Sequence, residues 1–68
     1  MRGQRDRDRA RIAELFRASP AGLTRLQVRR ALGLGYGVIQ RIVAPPVYAV
    51  IGVTRGARGY ADVWGIKR

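Results

Sequence analysis

The sequence predicts an α+β fold in which three short helices precede a β-hairpin, and three observations lead to this prediction. Through most of the chain, apolar residues recur at the three- and four-residue spacing of amphipathic helices. A capping motif and a glycine-rich turn divide this part into three segments. Near the carboxyl end, two runs of β-branched and aromatic residues flank a short glycine-containing segment, which is the pattern of a hairpin.

The composition indicates one small globular domain with a polyanionic partner. The chain has 68 residues, of which 47% are hydrophobic and 26% are charged. It contains 14 Lys and Arg residues against 4 Asp and Glu residues, which gives a formal charge of +10. Genome base composition explains a preference for arginine over lysine, but it does not explain the excess of cations over anions. Unopposed positive charge destabilises a compact state, so we expect a partner such as nucleic acid to neutralise it.

Several classes of function are excluded by what the sequence lacks. It has no Cys and no His, so the commonest transition-metal ligands and the commonest general base are missing. We therefore expect no enzyme activity, no cofactor, no metal site and no small-molecule ligand. No apolar run approaches the roughly 20 residues that span a bilayer, and the chain does not start like a signal peptide. These features predict a cytoplasmic, nucleoid-associated protein, or one of the host cytoplasm if it is viral.

The first helix is predicted to follow a charged segment. Residues 1–8 are expected to form a basic, flexible N-terminal arm, and residues 9–68 the folded domain. From Arg9 the apolar residues take helical spacing, and this pattern ends at Pro20, because proline disfavours helical geometry in the residue before it.

The second and third helices are predicted from a capping box and a turn. Thr24 suits the N-cap position, and Gln27, three residues later, suits the reciprocal hydrogen bond to its backbone. Glycines at 33 and 35 then favour a tight turn, and a third helical segment runs from Tyr36 to the Pro45-Pro46 pair. Two short helices joined in this way form a helix-turn-helix.

The hairpin completes the order of elements in a winged helix. Its predicted strands are 47–54 and 60–66, with residues 55–59 as the loop. If Thr54 lies opposite Tyr60, then Val50 lies opposite Trp64. The fold class is therefore α+β, a winged helix with three helices, a helix-turn-helix and a β-hairpin wing.

The turn also resembles a known family. Val28, Arg30, Leu32, Leu34-Gly35-Tyr36 and Arg41-Ile42 resemble the helix-turn-helix in the gamma domain of FtsK-type septal DNA translocases, over residues 26–43. The resemblance implies a winged helix that reads duplex DNA. This chain departs from the family at Gly37 and Val38, where the family has Asn and Arg, so the family's target sequence does not carry over. The Pro-Pro break resembles phage excisionases and MerR-like winged helices instead, and neither resemblance implies one biological role.

The third helix carries the candidate residues for reading bases, which are Gly37, Gln40 and Arg41. In the major groove, glutamine pairs with adenine and arginine with guanine, each through two hydrogen bonds. Gly37 would let the backbone approach the DNA closely. The alternative is that Gln40 and Arg41 are solvated residues on an exposed helix face, and that Gly37 relieves conformational strain in a glycine-rich turn.

Candidate contacts to the DNA backbone lie on the second helix and the turn. They are Thr24, Arg25, Arg29, Arg30 and Tyr36. Each also has a structural interpretation, since the threonine suits a helix cap, the arginines suit a solvated face and the tyrosine ring suits partial burial. At the tip of the wing, Arg55, Arg58 and Tyr60 are candidates for contact with the backbone or the minor groove.

Together these features predict a small standalone protein that binds double-stranded DNA as a transcriptional regulator or an architectural factor. A homodimer is compatible with the sequence. Two alternatives stay open. One is an RNA-binding or ribosome-associated winged helix, which would recognise shape and 2′-OH groups. The other is a protein-interaction module for an acidic surface, to which the apolar Leu26 on the polar side of the second helix would contribute.

Overall fold

The helices and strands follow the predicted order. A computed structural model of the protein describes residues 2–67. Its elements are α1 (Arg2–Arg17), α2 (Arg25–Leu32), α3 (Tyr36–Ile42), β1 (Tyr48–Gly56) and β2 (Gly59–Ile66). The two strands pair as an antiparallel hairpin. The α+β winged-helix class, with a helix-turn-helix followed by a hairpin, is therefore confirmed.

The first helix begins earlier than predicted. The sequence placed an arm at residues 1–8, whereas α1 is already helical from Arg2. Arginine and glutamine are good helix formers, and Asp6 and Asp8 each precede an arginine by three residues, a spacing at which opposite charges support a helix. Residue 1 of the predicted arm and residue 68 of the predicted domain lie outside the described residues.

The start and end of α2 are built as the sequence predicts. The Thr24 hydroxyl accepts a hydrogen bond from the Gln27 backbone N–H at 3.1 Å, and the Gln27 side chain accepts one from the Thr24 N–H at 2.9 Å. At the other end Gly33 takes φ +67°, a left-handed conformation that favours glycine, and its N–H donates to Arg29. The capping box and the left-handed Gly33 thus fix where α2 begins and where it ends.

The hairpin register is partly as predicted. Val50 lies opposite Trp64, as expected, but Thr54 lies opposite Ala61 and not opposite Tyr60. The reason is a bulge at residue 51, which adds one residue to β1 and shifts every pair beyond it. The loop is also shorter than the predicted 55–59, because pairing continues to Gly56 and Gly59 and leaves a two-residue turn.

A one-residue third strand joins the hairpin to the helices. Leu23, in the connection between α1 and α2, forms an antiparallel bridge with Trp64 through two backbone hydrogen bonds of 2.9 and 2.8 Å. No sequence pattern predicts this strand, because it consists of a single residue. It holds β2 against the start of α2, so the wing is attached to the body by backbone as well as by side chains.

The core lies between the helices and the base of the hairpin. Its buried residues are Ile12, Phe16, Val28, Ile39, Val43, Tyr48 and Trp64. The rings of Phe16 and Tyr48 pack with their centroids 4.8 Å apart. Burial raises the pKa of Tyr48 above its usual value, and the nearby charge of Arg17 opposes this effect. The core thus leaves one side of α3 and the outer half of the hairpin free.

Candidate nucleic-acid interface

The outward face of α3 collects the predicted base-reading residues. Ile39 is fully buried and holds the helix on the core, whereas Gly37, Gln40 and Arg41 are exposed. Tyr36 is 47% exposed and lies outside the core cluster, so this residue is only partly covered. Positions 36 and 40 and positions 37 and 41 are four residues apart, and positions 37 and 40 are three apart, so the four residues are neighbours on the helix surface. We call these four residues the α3 face.

Gly37 has no packing role within the described part of the chain. A Cβ atom at this position would meet no heavy atom within 4 Å, and its backbone φ is not positive. Glycine inside a helix is about 1 kcal/mol less favourable than alanine. Because the fold does not require this glycine, open space beside the backbone is available to a partner that approaches closely.

Thr24 is a buried cap and not an exposed ligand. Its side chain is 8% exposed, and both its hydroxyl oxygen and its backbone N–H are engaged in the capping box. Its position at the start of the helix-turn-helix predicts contact with the DNA backbone. The structure gives it the alternative role, because the two groups that would face a phosphate are turned to Gln27.

Arg25 links three elements of the fold. Its guanidinium donates two hydrogen bonds to the Val43 carbonyl, from Nε at 3.1 Å and from Nη2 at 2.8 Å. The same guanidinium lies over the Trp64 ring, 4.3 Å from the centroid, which is cation–π geometry. Arg25 therefore ties the start of α2 to the end of α3 and to β2. This role was missed because its partners are distant in sequence and no local pattern connects them.

Arg29 and Arg30 remain available at the turn of the helix-turn-helix. Both are exposed in the last turn of α2, and with residues 33–35 they line a shallow groove. Cations at a helix carboxyl end are also favoured by the helix dipole, which is the structural interpretation of their placement. Their guanidinium groups therefore add positive charge beside the turn that leads into α3.

The tip of the wing presents two arginines and one tyrosine. Arg58 lies in the two-residue turn, and Arg55 lies directly opposite Tyr60 on the paired strands. All three are exposed, with Tyr60 at 79%. Side chains alternate along a strand, so Tyr60 is on the same face of β2 as Trp64, and Arg55 shares that face through its pairing. Arg55 and Tyr60 thus continue the helix-facing side of the hairpin.

The charge distribution is one-sided along the sequence. Residues 15–61 include the helix-turn-helix and the wing tip, and they contain seven arginines and neither Asp nor Glu. Among the described residues, no group of His, Cys, Asp or Glu is placed to hold a metal ion, and no helix could span a bilayer. Asp62 directly follows this stretch and lies on the same face of β2 as Tyr60, but the arginines outnumber it, so the net field of this surface attracts polyanions.

Comparisons with known proteins identify no relative of this chain. No family model, no curated protein and no solved structure matches the chain.

Proposed function

We propose that this protein binds double-stranded DNA, with α3 in the major groove and the wing on the neighbouring backbone or in the minor groove. The observation that supports this most strongly is the α3 face, an exposed helix surface bearing Gln40 and Arg41 beside a glycine that the fold does not need. Exposed arginines lie at the turn before it and at the wing tip. Such an arrangement supplies both base edges and phosphates with donors.

The dimensions of α3 suit the major groove. A helix with side chains is about 10–12 Å across, and the groove is about 12 Å wide. With seven residues, α3 is about 10 Å long, so it covers about three base pairs. Arg41 would pair with O6 and N7 of guanine, and Gln40 with N6 and N7 of adenine. Tyr36, at the start of the helix, would donate its hydroxyl to a phosphate.

The proposed role in the cell is that of a transcriptional regulator or an architectural factor of the nucleoid. A domain that occupies a DNA site can exclude other proteins from it or bend it without chemistry of its own. RNA is the competing partner, but the deep, narrow major groove of A-form RNA does not admit a helix. The exposed α3 face therefore favours DNA.

Selection of bound sequences from a random pool of duplexes tests the assignment of Arg41. With the wild-type protein, we expect enrichment of a short motif that contains guanine at one position. With Arg41→Ala, discrimination at that position should fall by about 1–3 kcal/mol, while the other positions stay enriched. An enriched palindrome would in addition report a dimer on the DNA.

The matched control is Arg17→Ala, which removes an exposed arginine at the end of α1. This change should weaken binding to all sequences alike and leave the motif intact, since charge alone carries no sequence information. Far-ultraviolet circular dichroism verifies that both variants fold. An unchanged motif for Arg41→Ala would remove this residue from base reading, and a preference for an RNA duplex in competition would overturn the assignment of DNA.

A further inference from the structure

The inward stripe of α1 changes from apolar to charged along the helix. Arg5, Arg9, Ile12 and Phe16 follow one another at spacings of four, three and four, so they share one side of the helix. Ile12 and Phe16 are buried in the core, whereas Arg5 and Arg9 are exposed. The side of α1 that packs on the body therefore continues, beyond the core, with Arg5 and Arg9, and with Asp8, which follows Arg5 by three residues and precedes Ile12 by four.

A groove lies where this row meets α3. Its lining includes Arg9 and Ala13 of α1, Arg41 of α3, and Pro45 and Pro46 of the connection to β1. Its volume is about 330 Å³. We call it the α1–α3 groove. Among the described residues that line it there are two arginines and no carboxylate, and Asp6 lies one helical turn before Arg9 on α1.

The α1–α3 groove is continuous with the α3 face, because Arg41 belongs to both. A duplex that receives α3 in its major groove presents a phosphate strand on either flank of that helix. On one flank the strand would reach the helix turn and the wing. On the flank toward α1, it would pass over the groove and come within reach of Arg9.

We propose that the α1–α3 groove is a second binding site for the DNA backbone, with Arg9 as its phosphate ligand. This inference rests on the proposed binding of duplex DNA. The chemistry of the lining fits a phosphodiester strand, whose charged phosphates alternate with the less polar sugars. Arg9 would bind the phosphates, and the exposed Pro45 and Pro46 would offer apolar surface to the sugars. Because residues 2–8 are helical, Arg9 is held at a fixed place and does not depend on a flexible arm.

The matched pair Arg9→Gln and Arg7→Gln tests the site. Each removes one charge from the same helix, but Arg7 lies on the opposite side, on the stripe of Arg11 and Glu14. Binding to a duplex of about 20 base pairs, roughly two helical turns, is measured by fluorescence anisotropy across a series of salt concentrations. One lost phosphate contact lowers the salt slope by about 0.9, and by the same relation lowers affinity roughly eightfold at 0.1 M salt. We expect this loss for Arg9→Gln and a clearly smaller one for Arg7→Gln.

The outcomes separate this inference from the function on which it depends. Suppose that the wild-type protein binds the duplex and that the two variants lose the same affinity and salt slope. In that case α1 contributes only diffuse charge and the groove is not a phosphate site, but the proposal of DNA binding stands. If the wild-type protein does not bind duplex DNA, both proposals fail.

A second experiment locates the contact on the DNA. Phosphates of the selected sequence are replaced one at a time by neutral methylphosphonates. We expect one flanking position whose replacement weakens the wild-type protein but has no further effect on Arg9→Gln. If no position behaves in this way, Arg9 does not bind a single phosphate and the inference is overturned.

Discussion

Replacement of Trp64 by alanine is expected to lower the free energy of unfolding by about 3–5 kcal/mol, the usual loss for a buried aromatic residue. The ring is 7% exposed, packs in the core and lies under the Arg25 guanidinium. A domain of this size has a total stability of about 3–10 kcal/mol. We therefore expect a large unfolded fraction at 25 °C, measured by urea denaturation with circular dichroism.

The control for Trp64→Ala is Tyr60→Ala on the same strand. Tyr60 is also aromatic, but it is 79% exposed, so its loss should change stability by less than about 0.5 kcal/mol. Because both residues are aromatic and lie on β2, the difference between the two losses of stability reports the burial of Trp64 and not the preference of aromatic residues for strands. Equal losses for the two variants would contradict the placement of Trp64 in the core and of Tyr60 at the free tip.

Gly22→Ala is the second change with a large expected effect, a loss of about 3 kcal/mol or more. A Cβ atom at Gly22 would lie 2.6 Å from Val63 Cγ1, 2.7 Å from Ile51 Cδ1 and 2.8 Å from the Trp64 carbonyl oxygen. The last of these is backbone, and it accepts the hydrogen bond from Leu23. The residue also has φ +92°, which favours glycine. The substitution would thus separate β2 from the connection before α2.

Gly33→Ala provides the comparison for Gly22→Ala. Gly33 also has positive φ, but a Cβ atom there would meet nothing within 4 Å. Gly33→Ala should lower the free energy of unfolding only by the backbone strain, about 1–2 kcal/mol. The difference in unfolding free energy between the two variants measures the close approach at Gly22. No difference would mean that the wing base is not packed as tightly as described.

Features that depend on neighbours in sequence could be predicted. The capping box of Thr24 and Gln27 and the left-handed Gly33 are local, because each is completed within one helical turn. The order of helices and hairpin follows from the change of apolar period along the chain. The exposed α3 face could also be predicted, because the helical spacing of its residues places them away from Ile39 once Ile39 is assigned to the core.

Features that depend on distant partners could not be predicted. The Leu23–Trp64 bridge joins single residues, so no alternating strand pattern predicts it. The bulge at Ile51 could not be predicted either, because the run of β-branched residues continues through it unchanged. Arg25 was assigned to phosphate because an arginine on a helix resembles any other until its acceptor, the Val43 carbonyl, is located. The start of α1 was misplaced because charge density was interpreted as disorder, although the same residues form helix readily.

The salt dependence of binding to duplex DNA tests the central claim most directly. If the α3 face, the turn and the wing together neutralise about six phosphates, the logarithm of the association constant should fall with the logarithm of salt concentration at a slope of about −5. A matched RNA duplex should compete poorly, since α3 does not enter its major groove. A flat salt response, or failure to retain duplex DNA at low salt, would contradict the account.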